Sequence, residues 1–225
     1  TYQRIKDITF LVPIFLHSLK TGKIDLAQFL LSLLNNQTDK KKLINCSNKH
    51  GLNTALVSCK GGKVVSLQFL LSHDLFDPNL IFTKDNNSLN AIHYACFTDS
   101  ISIFSTILAL YEEQQETSYS DLMFVNDKLG NTPFDYVIRK NPMLNNCTLF
   151  KWIIKNCFDD IEDPVRMKRR RIEMLFGNRN NKNETSLIEI MLRQNDMLIT
   201  RCIKQYFDEI ETIPDHDIEI VGNIL

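Results

Sequence analysis

Apolar residues along this chain gather in short clusters, and the clusters recur. The stretch Ser18-Leu-Lys-Thr-Gly-Lys-Ile-Asp-Leu-Ala-Gln-Phe-Leu-Leu-Ser32 aligns without a gap with Ser58-Cys-Lys-Gly-Gly-Lys-Val-Val-Ser-Leu-Gln-Phe-Leu-Leu-Ser72, at a constant offset of 40 residues. A second recurrence, at an offset of 42, links Asn90-Ala-Ile-His-Tyr-Ala95 with Thr132-Pro-Phe-Asp-Tyr-Val137. The latter has a local physical reading. Asp127 and Gly130 suit a tight turn, Gly130 because a residue without Cβ tolerates positive φ. Thr132 is a helix cap, and Pro133 fits the first helical position, where no N–H is required. Phe134 and Val137, three residues apart, share one helix face. Further helical stretches are predicted around Ile101 to Leu110, Thr148 to Lys155 and Met197 to Ile203. No apolar run reaches eighteen residues, since Phe10 to Leu19 is interrupted by Pro13 and His17, so no membrane span is expected.

These motifs resemble the ankyrin repeat, in which a turn is followed by Thr-Pro-Leu-His-x-Ala opening one helix and then by a second helix. Thr132-Pro133-Phe134 fill its first slots. Asn90, Ala91, Ile92, His93 and Ala95 stand for Thr, Pro, Leu, His and Ala, departing from the family at the proline. A weaker unit reads Asn183-Glu-Thr-Ser-Leu-Ile-Glu-Ile-Met191, with Thr185 and Leu187 in the Thr and Leu slots. The resemblance implies an all-α fold, an ankyrin-repeat solenoid of about five stacked helix-turn-helix units with irregular inserts. The units lie near residues 8–45, 46–84, 85–125, 126–157 and 179–210, in one domain spanning 1–225.

The resemblance also assigns positions. Gly22 and Gly62 fall at the turn between the two helices of a unit, and Phe29-Leu30-Leu31 and Phe69-Leu70-Leu71 on the buried face of the second helix. His93 takes the slot whose side chain ties neighbouring units together. Equivalent residues are 36 apart from Ala55 to Ala91, 42 from Ala91 to Pro133 and 53 from Pro133 to Ser186. The usual unit is about 33 residues, which places extra material near 35–43, near 111–124 and above all at 158–178. A first residue Thr1 and an apolar end at Ile218, Ile220, Val221, Ile224 and Leu225 lead us to expect a domain excised from a larger protein.

With 44% hydrophobic and 24% charged residues, the composition is that of a folded chain. A net charge of −1 argues against a surface adapted as a whole to nucleic acid. Six scattered cysteines, Cys46, Cys59, Cys96, Cys147, Cys157 and Cys202, show no zinc spacing. Cys59 and Cys96 occupy small apolar slots of first helices, which suits buried thiols in a reducing, intracellular compartment.

Several motifs invite chemistry that their surroundings do not support. Gly61-Gly62-Lys63 resembles a phosphate loop, but Val57 and Val64 stand where that motif needs a glycine and a hydroxyl residue. Lys40-Lys-Lys42 reads as a solvated loop. Neither Ser88 nor Tyr94 beside His93 completes a catalytic arrangement, and His17, His50, His73 and His216 show no ligand spacing. No enzyme, cofactor or metal site is expected. The insert Asp159-Asp-Ile-Glu-Asp-Pro-Val-Arg-Met-Lys-Arg-Arg-Arg171 joins an acidic run to Arg166, Lys168, Arg169, Arg170 and Arg171. That basic run is either a partner-binding or nuclear-import segment or a solvated helix whose Val165, Met167, Ile172 and Leu175 pack inward.

Repeats of this family generally bind other proteins through turn tips and first helices. The resemblance therefore puts a protein partner on Tyr94 and Phe97, on Tyr136, Arg139 and Lys140, and on Leu192 and Arg193. Aromatics and arginines are favoured at interface centres. The turn tips Lys49-His50, Asp85-Asn86, Lys128-Leu129 and Asn181-Lys182 form a second surface, in which an exposed Leu129 signals a contact. Composition and inserted repeats are similar to those of yeast ankyrin proteins and, more distantly, of poxvirus host-range ankyrins. The implied function is a non-catalytic, monomeric protein-interaction module of a larger cytoplasmic protein in membrane trafficking. The alternatives are a nuclear transcription or chromatin regulator, which salt-dependent DNA binding would mark, and a viral host-range protein.

Overall fold

A computed structural model describes residues 8–114, 122–140, 148–149 and 152–153. The chain divides into two compact units, Thr1–Glu116 and Thr117–Leu225. In the first unit the helices are α1 (Ile8–Thr21), α2 (Ile24–Ser32), α3 (Gln37–Ile44), α4 (Thr54–Gly61), α5 (Val64–Leu71), α6 (Ala91–Thr98) and α7 (Ile101–Gln114). A 3₁₀ turn, Pro78–Phe82, precedes α6. The second unit contains α8 (Pro133–Lys140). The described residues form no β-strand and only one isolated bridge, Ser47 to Asn53, so the fold is all-α as expected.

Three successive helix pairs build the first unit. Helices α1 and α2, α4 and α5, and α6 and α7 pack within their pairs. Between pairs, α1 packs on α4 and α4 on α6 in one row, while α2 packs on α5 and α5 on α7 in a second. The core repeats with the chain: Leu19, Cys59 and Cys96 are fully buried in the first row, and Ala27, Leu67 and Phe104 in the second. Their spacings are 40 and 37 residues.

The turns inside the pairs show why the first two segments align so well. Gly22 and Gly62 have φ of +76° and +67°, and Asp99 takes the same left-handed conformation at φ +54° in the third pair. Gly61 has a different role. A Cβ there would overlap the carbonyl of Lys20, so its hydrogen is what lets α4 close on the end of α1. Ser66 fixes the same junction, donating from its buried hydroxyl to the Leu19 carbonyl at 2.6 Å. The Gly61-Gly62 pair is therefore a turn and a packing contact, not a phosphate cradle.

The segment near residues 35–43 is not a solvated loop. It contains α3, capped by Asn36, whose side-chain oxygen accepts from the Asp39 amide at 2.6 Å. Leu43 and Ile44 of α3 are fully buried, and Lys40, Lys41 and Lys42 lie within it. A lysine run read as loop is also a good helix former, and the buried residues that follow it decide the matter. A second correction concerns the second helices. Leu30, Leu31 and Leu70 are buried, but Phe29 is 57% exposed and Phe69 and Leu71 are only half-buried. In each triplet a 3.6-residue turn cannot point three consecutive side chains at one core.

The insert near 158–178 and the repeat expected at 179–210 lie outside the described residues; of the insert near 111–124, residues 111–114 continue α7 and 115–121 lie outside, and of the second helix expected at Thr148 to Lys155 the described residues 148–149 and 152–153 are helical.

Candidate interaction surface

Before each of α4, α6 and α8 the backbone makes the same finger. Its first residue is Asn48, Asp85 or Asp127. In all three its amide bonds to the carbonyl four residues on: Asn48 to Leu52 at 3.0 Å, Asp85 to Leu89 at 2.9 Å and Asp127 to Asn131 at 2.9 Å. Its side-chain oxygen accepts from the amides two and four residues on. These bonds are His50 and Leu52 to Asn48 at 2.9 and 3.1 Å, Asn87 and Leu89 to Asp85 at 2.8 and 2.9 Å, and Leu129 and Asn131 to Asp127 at 2.8 and 2.8 Å. The fourth residue has positive φ: Gly51 +75°, Ser88 +63° and Gly130 +78°. Asn and Asp suit the first position because a short side-chain acceptor reaches the backbone two residues on.

Each finger ends in a helix cap. The Asn53 side chain accepts from Leu56 at 2.9 Å and Asn90 from His93 at 3.1 Å; Thr132 Oγ1 accepts from Asp135 at 3.3 Å. The caps correct the register. Asn53 is equivalent to Asn90, so Thr54 and not Ala55 matches Ala91, and the spacing is 37. His93 completes a capping box with the Asn90 amide, and its Nδ1 lies 2.6 Å from Asn90 Oδ1. Asp135 does the same work in the next unit, accepting from both the amide and the hydroxyl of Thr132 at 2.6 and 2.9 Å. His93 is thus a buried helix cap.

A tyrosine on the helix holds two of the fingers from beneath. Tyr94 donates its hydroxyl to Asp85 Oδ2 at 2.7 Å, and Tyr136 donates to Asp127 Oδ2 at 2.6 Å. In the finger that starts at Asn48 the tyrosine position is Val57, and the acid has become an amide. Where no hydroxyl can neutralise a second carboxylate oxygen, the chain carries none. Burial alone would push the Asp127 carboxyl up, but the bonds from Tyr136, from Asn131 and from the Leu129 amide outweigh it and hold the group below its usual 3.8.

This geometry sorts the expected surface residues. Tyr94 is 4% exposed and belongs to the finger support, where its ring also lies 5.3 Å beneath the Lys60 ammonium. Its expected place on an open helix face is corrected accordingly. Tyr136 is half-buried with the same task. Asp85 is buried, so the tip of the second finger is Asn86-Asn87. Phe97 remains open at 41% exposure, and Leu129 is open at 63%. Lys128 beside it is exposed too. Arg139 and Lys140 lie in the last turn of α8, with their side chains outside the described part. Arg166, Lys168, Arg169, Arg170, Arg171, Leu192, Arg193 and the tip Asn181-Lys182 fall outside the described residues.

The first two fingers are joined to each other. The Asn86 amide donates to the His50 carbonyl at 3.0 Å, and the Asn86 side chain donates to the Lys49 carbonyl at 3.1 Å. A Cβ on Gly51 would stand 2.6 Å from Asn86 Oδ1, so Gly51 permits this approach as well as its turn. Lys49, His50, Asn86 and Asn87 therefore lie exposed along one edge, on backbone that is hydrogen-bonded across the pair. The supporting Asp and Tyr residues had a sequence signal that the opening alignment passed over: Asn or Asp, then Gly or Ser three residues later, then an Asn or Thr cap two further on.

Other chemistry finds no centre among the described residues. No group of His, Cys, Asp or Glu could hold a metal there, and no helix is long and apolar enough to cross a membrane. Cys46, Cys59 and Cys96 are free thiols; Cys59 is fully buried, and burial pushes its thiol up to about 12. Comparison with protein-family models and with curated proteins finds no match.

Proposed function

We propose that this chain is a non-catalytic protein-interaction module built from ankyrin-type units, in which a finger tip and its adjoining first-helix residues dock a protein partner. One observation carries the reading: the same finger forms at residues 48, 85 and 127, with its polar side chains spent inward. The tips carry different exposed side chains on that common backbone, Lys49-His50, Asn86-Asn87 and Lys128-Leu129. A constant backbone presenting variable side chains is how a scaffold acquires specificity without altering its core. Leu129 adds to this, because a leucine 63% exposed on a tight turn loses hydration free energy that a contact would recover.

The test is affinity capture by the 225-residue chain, compared between wild type and a Lys128→Ala, Leu129→Ser variant. A captured protein that is lost with the variant, while the melting temperature stays within about 1 °C as expected for surface changes, supports tip docking. Equal capture by both proteins refutes it.

A further inference from the structure

At the end of the first helices opposite the fingers, two turns match at three of four positions in register: Lys20-Thr21-Gly22-Lys23 and Lys60-Gly61-Gly62-Lys63. The glycines have structural tasks, positive φ at Gly22 and Gly62 and close approach at Gly61. Of the lysines, Lys20 and Lys60 lie in the last turns of α1 and α4, where a cation suits the helix dipole, and the Lys60 ammonium lies over the Tyr94 ring; Lys23 and Lys63 have no such task. Lys23 and Lys63 stand at the N-caps of α2 and α5, and neither makes a side-chain capping bond. A cation is disfavoured there by the helix dipole, and lysine is a poor cap beside Ser, Thr, Asn or Asp. The third pair shows the ordinary solution. Its equivalent residue is Ser100, whose hydroxyl accepts from the Ile103 amide at 3.4 Å.

The two turns lie directly on one another. Gly61 abuts the Lys20 carbonyl, and a Cβ on Gly22 would meet the stem of Lys63 at 3.3 Å. Lys20, Lys23 and Lys63 are exposed and Lys60 is half-buried. Among the described residues the one ion pair is Lys42 with Asp39, so none of the four is paired with a carboxylate. Continuing the row, the residue equivalent to Lys20 and Lys60 is Phe97, 41% exposed. Asp25 lies in the first turn of α2, two residues from Lys23, and Asp99 is the C-cap residue of the third turn.

We propose that this edge is a docking site for a short acidic peptide segment, its carboxylates set against Lys20, Lys23, Lys60 and Lys63 and an apolar side chain against Phe97. Four ammonium groups without a carboxylate partner, on two stacked turns about 10 Å apart as packed helices are, match carboxylates spaced along an extended peptide. The exposed Asp25, two residues from Lys23, favours a short segment over a nucleic-acid backbone or an anionic bilayer, either of which would run on past it and meet like charge. This site is separate from the finger tips and does not rest on the reading given for them.

The test is fluorescence anisotropy of the 225-residue chain with a labelled decapeptide, Glu-Asp-Glu-Asp-Phe-Glu-Asp-Glu-Asp-Glu. It is run at low and at physiological salt, alongside a labelled DNA duplex and phosphatidylserine vesicles. Replacing all four lysines by glutamine should weaken peptide binding about tenfold or more at low salt and flatten its salt dependence. Phe97→Ala should weaken it several-fold, and replacement of the four lysines by arginine should retain it. If the glutamine variant has a lowered melting temperature, the arginine variant and Phe97→Ala on the wild-type background decide the matter. The proposal is overturned by any of three results: no saturable peptide binding, equal loss when Lys40, Lys41 and Lys42 are changed instead, or tighter binding of the duplex or the vesicles than of the peptide.

Discussion

Replacing Tyr94 by phenylalanine removes one hydroxyl and leaves the ring in place. Asp85 Oδ2 then loses its 2.7 Å partner in a site where the carboxylate residue is 7% and the tyrosine 4% exposed. A hydrogen bond to a charged acceptor contributes about 1.5–3 kcal/mol, and a buried oxygen left without its partner keeps the desolvation cost. A loss of about 2 kcal/mol follows, or roughly 4–8 °C in melting temperature for a chain of this size. Urea denaturation gives the free energy. Hydrogen exchange at the Asn87 and Leu89 amides, both bonded to Asp85 Oδ1, shows whether the loss is in the finger. The preceding finger supplies the control, since it pairs Asn48 with Val57. Asp85→Asn added to Tyr94→Phe removes the uncompensated charge, so the double variant should be more stable than the sum of the singles, with a coupling of about 1 kcal/mol or more. A Tyr94→Phe cost below about 0.5 kcal/mol, or strictly additive singles, would falsify the claim that this bond supports the finger.

Two further outcomes are expected. Gly61→Ala places a methyl group against the backbone carbonyl of Lys20, which cannot rotate away, so urea denaturation should show a loss of about 2–3 kcal/mol; full stability would mean that α1 and α4 shift apart at little cost. The Asp127 carboxyl is held below 3.8 in the folded chain, so its contribution is complete above the unfolded value and is lost as pH falls through the lower folded value. Carbon-13 NMR of the Asp127 carboxyl should therefore titrate below 3.8, and Tyr136→Phe should move that midpoint upward, because one of the bonds that lowers it is gone; an unmoved midpoint would contradict the assignment.

Much of the helix-pair architecture was legible in the chain because its signals are local. Glycines at 22 and 62 mark turns whose φ is positive, Thr132-Pro133 marks a helix start, and small residues at Cys59 and Cys96 mark close packing. Each of these depends on a few neighbouring backbone dihedrals. The errors arose where distant chain had the deciding vote. Lys40 to Lys42 are uninformative as a charge run, and it is the burial of Leu43 and Ile44 that holds them in a helix. Aligning Ala55 with Ala91 misplaced the register by one residue, since alanine fits many slots while Asn53 and Asn90 are fixed by the amides they accept.

By itself, then, the sequence determined that this protein is helical, where its helix pairs turn, and that Thr132 caps a helix, because those choices are settled within a few residues of chain. Tertiary structure decided which side chains remain available to a partner. Tyr94 looked like surface and is committed to Asp85, whereas Lys20, Lys23, Lys60 and Lys63 form one patch only because Gly61 lets two turns, forty residues apart in the chain, lie against each other. A side chain's exposure depends on what packs beside it, and the neighbour that decides it is supplied by the stacking of one helix pair on the next.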